Sequence, residues 1–244
     1  MKHMNTPIQT SVRRARNHLL AKFSRRFASA MTLIAVALIC FELLPTAYAV
    51  RPTPSPSPTR SPGENLGNGN SAAENVQALI SLTTGVNNTA TGFQALLNNT
   101  TGSNNTATGA GTLFANTGDQ NTATGTGALL SNTTGENNTA NGTFALNSNT
   151  TGIQNTATGA RALQGNTTGH GNTTNGYDAL RDNVTGNNNT AIGYRALNSN
   201  VTGSSNVALG INALATSVNA NVNTAIGCAA LQNNTEGVSN TAVG

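Results

Sequence analysis

The chain has 244 residues, of which 8% are charged and 4% aromatic, with 26 Gly, no Trp and a formal net charge of +4. Seven of the twelve basic residues (Lys2, Arg13, Arg14, Arg16, Lys22, Arg25 and Arg26) precede residue 50, and from Val50 onward five Arg stand against seven carboxylates, a net of −2. A basic nucleic-acid-binding face is therefore excluded from the body of the chain, as is a P-loop nucleotidase, which needs a lysine that the body lacks.

Residues 1–49 read as a long secretory signal. The basic stretch ends at Arg26, an apolar run extends from Met31 to Leu44, and Ala47-Tyr48-Ala49 supplies the small residues required before a cleavage site. The run is short for a membrane anchor, which needs ~20 apolar residues, and Glu42 and Pro45 interrupt its end. A lipid attachment at Cys40 is disfavoured by the bulk of Ile39. Cleavage is expected after Ala49, followed by export, with no membrane span in the mature chain.

Residues 50–75 read as a linker and N-terminal cap. Between Arg51 and Pro62 proline alternates with small polar residues. Such a segment favours polyproline II, a semi-rigid spacer of about 37 Å at roughly 3.1 Å per residue. Five of the seven prolines fall here and none follows Pro62, which marks a domain boundary.

From residue 76 to 244 the chain repeats a 17-residue unit, Asn-Thr-Ala-x-Gly-x-x-Ala-Leu-x-x-Asn-Thr-Thr-Gly-x-x. Its first glycine recurs at Gly92, Gly109, Gly125, Gly142, Gly159, Gly176, Gly193, Gly210, Gly227 and Gly244. Every interval is 17 except one of 16, where a Thr is missing before Gly118. A leucine column runs from Leu79 through Leu96, Leu113, Leu146 and Leu197 to Leu231, and an asparagine column from Asn88 through Asn105, Asn138, Asn189 and Asn223 to Asn240. The composition alone, rich in Asn, Thr, Gly and Ser, would suggest disorder. A disordered segment has no reason to hold ten leucines in phase, whereas a stacked solenoid does.

Helix is a poor reading of a unit with two glycines and several Asn and Thr. Seventeen residues have a contour near 56 Å at ~3.3 Å each, enough for two short strands and two turns. The strands are expected at Asn-Thr-Ala-x and x-Ala-Leu-x. The corners are expected at Asn-Thr-Thr-Gly and at the glycine after Ala-x, where Gly and Asn accept left-handed backbone angles. Ala90, Ala191 and the leucines should point inward, and the stacked asparagines should pass amide hydrogen bonds from coil to coil. Thr89, Thr106, Thr122, Thr139, Thr156 and Thr173 should form an outer ribbon. One leucine per coil is a thin core against the ordering entropy of seventeen residues, so association of several chains is expected.

The pentads Asn189-Thr190-Ala191-Ile192-Gly193, Asn206-Val207-Ala208-Leu209-Gly210, Asn223-Thr224-Ala225-Ile226-Gly227 and Asn240-Thr241-Ala242-Val243-Gly244 resemble the Ser/Asn-x-Ala-Ile-Gly repeat of YadA-like trimeric autotransporter adhesin heads. The resemblance implies a left-handed parallel β-roll, three chains side by side, and display on a Gram-negative surface for attachment. The arrays also resemble those of tail-fibre-like exported proteins with a C-terminal self-cleaving chaperone. Three departures stand out. The unit is longer than the usual head repeat, so a turn must be expanded, with Asn-Thr-Thr-Gly the expected place. The residue before glycine is Thr or Asn up to Asn175, where the family has an aliphatic. The pattern runs to Gly244 with no stalk, barrel or chaperone sequence, and the chain is read as a segment ending in mid-pattern.

No catalytic, cofactor-binding or metal-binding set is expected. His170, the single histidine after residue 49, occupies a variable turn position. Asp178 and Asp182 flank Arg181, in columns that elsewhere hold Gln94, Arg161, Arg195 and Asn198, which reads as a surface charge cluster. Recurrent aspartates of the calcium-binding β-roll kind are absent from the unit. Cys228 replaces Phe93, Tyr177, Tyr194 and Ile211 of other coils and reads as a small apolar filler. Asn-x-Thr sequons are a by-product of the repeat. Thr-Ala-Thr in four coils resembles the ice-binding face of β-solenoid antifreeze proteins, an array broken by Asn141 and Asn175 and replaced from Ile192 onward. The expectation is an exported, non-enzymatic, adhesin-like or structural module acting by multivalent contacts, with ice binding as the alternative.

Overall fold

A computed structural model describes residues 64–65, 68–72 and 77–244. The predicted signal, its cleavage site after Ala49 and the proline-rich spacer lie outside the described residues. Among the described residues the protein is an all-β parallel solenoid without helix, so none is present that could cross a membrane. Its twelve strands lie in one sheet in chain order. β1 (Glu64–Asn65) runs antiparallel to β2 (Ser71–Ala72). β2 then pairs in parallel with β3 (Thr89–Thr91), and the parallel stack continues through β4 (Thr106–Thr108), β5 (Thr122–Thr124), β6 (Thr139–Asn141), β7 (Thr156–Thr158), β8 (Thr173–Asn175), β9 (Thr190–Ile192), β10 (Val207–Leu209), β11 (Thr224–Ile226) and β12 (Thr241–Val243).

With the ladder asparagine as position 1 of each coil, the strand occupies positions 2 to 4. Its burial alternates exposed, buried, exposed, as at Thr89, Ala90 and Thr91, because successive side chains of a strand point to opposite faces. Position 3 places Ala90, Ala107, Ala191 and their counterparts in the core.

The second expected strand does not form; Ala-Leu lies in turns. Both residues of the pair point inward, and Ala95 and Leu96 are fully buried. A strand cannot do this, since it would send one of two neighbours outward. The backbone solves the conflict with left-handed angles at positions 7 and 9, φ 58° at Gln94 and 51° at Leu96. Leucine adopts this angle in the columns of Leu79, Leu113, Leu146, Leu197 and Leu231 as well. A non-glycine residue in that region costs roughly 1–2 kcal/mol, against the ~1.5–3 kcal/mol that burying a leucine contributes.

The glycines have two separate roles. The first column, from Gly92 through Gly109, Gly142 and Gly193 to Gly227, has φ between 116° and 149°, and each also abuts the next coil's glycine. A Cβ on Gly92 would meet the Gly109 carbonyl oxygen at 2.5 Å. The second column, after Asn-Thr-Thr, does not have positive φ. Gly102 is needed because a Cβ would strike the Asn99 carboxamide and the Gly118 carbonyl.

Hydrogen bonds run between coils even where no strand forms. Leu96 N–H donates to Thr112 O at 3.0 Å, Asn98 N–H to Phe114 O at 3.0 Å and Asn104 N–H to Val86 O at 2.8 Å. The expected asparagine ladder is present. Asn88 Oδ1 accepts from the Asn105 N–H at 3.0 Å and from Asn105 Nδ2 at 3.1 Å, and Asn105 Nδ2 also donates to Gly118 O. The same bonds link Asn121 to Asn138, Asn172 to Asn189 and Asn206 to Asn223.

A second buried ladder follows position 12, at the Asn-Thr-Thr-Gly corner where stacked asparagines are expected to pass amide bonds. Asn132, Asn149, Asn166, Asn183 and Asn200 each donate to the position-12 Oδ1 of the preceding coil at 2.6 to 2.8 Å. It breaks at Ser217, which is too short to continue it, and both Asn200 Oδ1 and Ser217 Oγ are buried without a partner. In that coil alone from Gly85 to Gly237, the glycine of position 15 is replaced, by Ala220. The loss of the carboxamide at Ser217 removes one of the atoms that exclude a Cβ elsewhere in the column.

Candidate binding surface

Fixed inner columns leave the outer ones free, and two outer regions depart from a plain polar surface. The first is the strand face, positions 2 and 4. In β3, β4, β5 and β7 both positions are threonine, exposed at position 2 and exposed or half-buried at position 4. This is the predicted outer ribbon. From β9 onward position 4 becomes aliphatic yet stays outside, with Ile192 38% exposed, Leu209 43%, Ile226 38% and Val243 75%. Ile192 and Ile226 therefore belong to the surface, while the Asn, Ala and Leu of the same units belong to the interior. Leu231 of the last unit is partly buried against the core.

The second region lies just beyond the first glycine, at positions 6, 7, 10 and 11. Tyr177 and Tyr194, both exposed, occupy position 6 of consecutive coils, and their rings stack at 5.8 Å with an 8° tilt. Arg161 lies over the Tyr177 ring at 4.9 Å and donates through Nη2 to the Tyr177 hydroxyl at 2.6 Å and to Asp178 Oδ2 at 2.7 Å. Arg181 Nη1 is 3.6 Å from the same Asp178 oxygen, and Arg181 holds Asp182 through two bonds of 2.6 and 2.7 Å. The hydrogen bonds to Asp182 raise the Arg181 pKa above its ordinary value, burial opposes this, and the charges of Asp182 and Asp178 add to it.

The expected surface charge cluster is thus present, but Asp178 is not a solvated member of it. It is 3% exposed, its Oδ1 has no partner, and Arg161 Nε is likewise buried and unpaired. Arg195, one coil further along the column of Arg161 and Asp178, is exposed and makes no side-chain pair among the described residues.

The other singled-out residues have plainer roles. His170 is exposed, and its Nδ1 accepts from the Ile153 N–H at 3.1 Å. It belongs to a column where a side-chain acceptor receives the N–H of the preceding coil, as Asp119 does for Ser103 and Asn187 for His170. Cys228 is a free thiol and is exposed, so it does not fill an apolar gap. It continues an outer column in which Tyr194 and Ile211 are also exposed. Among the described residues no three His, Cys, Asp or Glu side chains gather closely enough to hold a metal. The chain matches no family model, no curated protein and no solved structure.

Proposed function

We propose that the chain is an exported, non-enzymatic surface module of the YadA-like head type, working as a side-by-side trimer and attaching through repeated shallow contacts. The observation that carries this reading is the aliphatic half of the strand face. Ile192, Leu209, Ile226 and Val243, with Val207 beside Leu209, form exposed apolar columns on adjacent parallel strands. Contiguous apolar surface of this kind marks an association site. Positions 2, 4 and 17 carry no charged residue in any coil from Asn87 to Val243, so copies placed face to face would desolvate no charge. Sedimentation of the chain tests it. A trimer is expected, and the triple variant Ile192→Thr, Leu209→Thr, Ile226→Thr should dissociate while keeping its circular dichroism. A folded wild-type monomer would overturn the reading.

A second reading rests on the threonine half. The outward-facing Thr pairs of β3, β4, β5 and β7 form a regular hydroxyl and methyl array on a parallel sheet, the kind of surface that orders water for ice binding. Thermal hysteresis by the purified chain checks this, and its absence at millimolar protein dismisses it.

A further inference from the structure

The charge and aromatic cluster of the coils that carry β7, β8 and β9 is a local breach of an otherwise neutral repeat. Column 7 reads Arg161, Asp178, Arg195 where other coils have Gln94, Gly111, Gly127, Phe144, Asn212 and Ala229. Columns 10 and 11 gain Arg181 and Asp182 in the same place. The three ion pairs of the described residues all lie here, as do the tyrosine stack and the arginine–ring contact. A solenoid does not need any of this to stack, because neighbouring coils stack without it.

Two features identify what the cluster is built to receive. Three guanidinium groups face two carboxylates, so the patch is locally positive on a body whose net charge from Val50 onward is −2. Arg195 is its exposed and unpaired member, and a guanidinium fork matches a carboxylate with two parallel hydrogen bonds. Asp178, between Arg161 and Arg181, retains an oxygen with no donor, and a buried acceptor is costly to leave so. A ligand must therefore bring both an anionic group and hydroxyls, together with apolar C–H surface for the exposed tyrosines. Carboxylated sugars combine all three.

We propose that this edge is a binding site for carboxylated polysaccharide. Arg195 pairs with the sugar carboxylate, the exposed ring edges of Tyr177 and Tyr194 take its C–H surface, and displacement of the Arg161 or Arg181 head group that covers it lets a sugar hydroxyl donate to Asp178 Oδ1. A polymer laid along the stack meets Tyr177 and Tyr194 in turn, which multiplies a weak single contact. The proposal rests on the surface-module reading and names the class of surface it would attach to.

The test is calorimetric titration of the chain with oligogalacturonate, its fully methyl-esterified form and neutral dextran. Binding to the acid form is expected, weakening with salt and at least about tenfold weaker for the ester. Arg195→Asn should lose roughly tenfold in affinity. The substitution keeps the fold, since Asn212 occupies the same column at the same φ of 55°. Equal binding of acid and ester, unchanged affinity of the Arg195→Asn chain, or no binding of oligogalacturonate overturns the proposal. The trimer test does not involve Arg195, so the two readings fail separately. A trimer that ignores oligogalacturonate defeats this site alone, and a monomer that binds it through Arg195 defeats the trimer alone.

Discussion

The coils that carry β3 to β8 and those that carry β9 to β12 share one interior and differ in what they show to their surroundings. Leucine sits at φ 51° in both Leu96 and Leu197, and the ladder bond is 3.0 Å both at Asn105 and at Asn223. Outside, Thr91, Thr108 and Thr124 give way to Ile192, Leu209 and Ile226 on the same sheet. The pairing of Asn175 with Ile192, in register between β8 and β9, is where one face becomes the other. The difference teaches that the inner columns alone specify this fold. The outer columns are then free to take up separate tasks along the axis.

That equivalence of interiors can be broken by experiment. Leu163→Ala and Leu197→Ala lie on either side of the change in face, and each should cost about 2–5 kcal/mol by chemical denaturation. Costs that differ by more than about 1 kcal/mol would show that the two halves do not share one core.

A smaller effect is expected at the interrupted ladder. Ser217→Asn together with Ala220→Gly should restore a donor to Asn200 Oδ1 and add about 1 kcal/mol of stability. Ser217→Asn alone should add nothing, because the Ala220 methyl lies where glycine gives the carboxamide room in other coils. Additive single-mutant effects in a double-mutant cycle would refute this coupling.

The smallest change is expected on the exposed rim. Thr133→Val removes a hydroxyl that donates to Thr150 O at 2.9 Å, yet Val184, Val201 and Val218 already fill that column. Thermal unfolding should register less than about 0.5 kcal/mol.

What was legible in the sequence was whatever stacking forces to be identical. A residue above its own copy must suit that copy, so Gly92, Leu96 and Asn88 recur without exception and disclose a parallel solenoid with its asparagine ladder. The path of the chain between these columns was less legible. Leucine is a poor candidate for a left-handed angle by local preference, and only the need to bury Ala95 and Leu96 together puts it there, so a strand was expected instead. The position-12 ladder, by contrast, was legible from stacking, since Asn99 and its copies read as corner residues stacked in register. The cluster around Asp178 was visible as charge but not as burial, since column identity carries no information on depth.

The coil that begins at Asn105 is one residue short, with Thr117 followed directly by Gly118. In a full coil, Thr83 and Thr84 both donate to the Thr100 carbonyl. In the short coil, Thr117 and Gly118 both donate to Thr133 O, at 2.7 and 3.0 Å. The glycine takes over the bond of the missing threonine, and Asn121 still meets Asn105 in the ladder. Coil length is therefore not a quantum of this architecture. The shorter turn keeps the ladder in register at the expense of the coil before it, where the Thr100 and Thr101 N–H groups do not donate to Thr117 O as Thr83 and Thr84 do to Thr100 O.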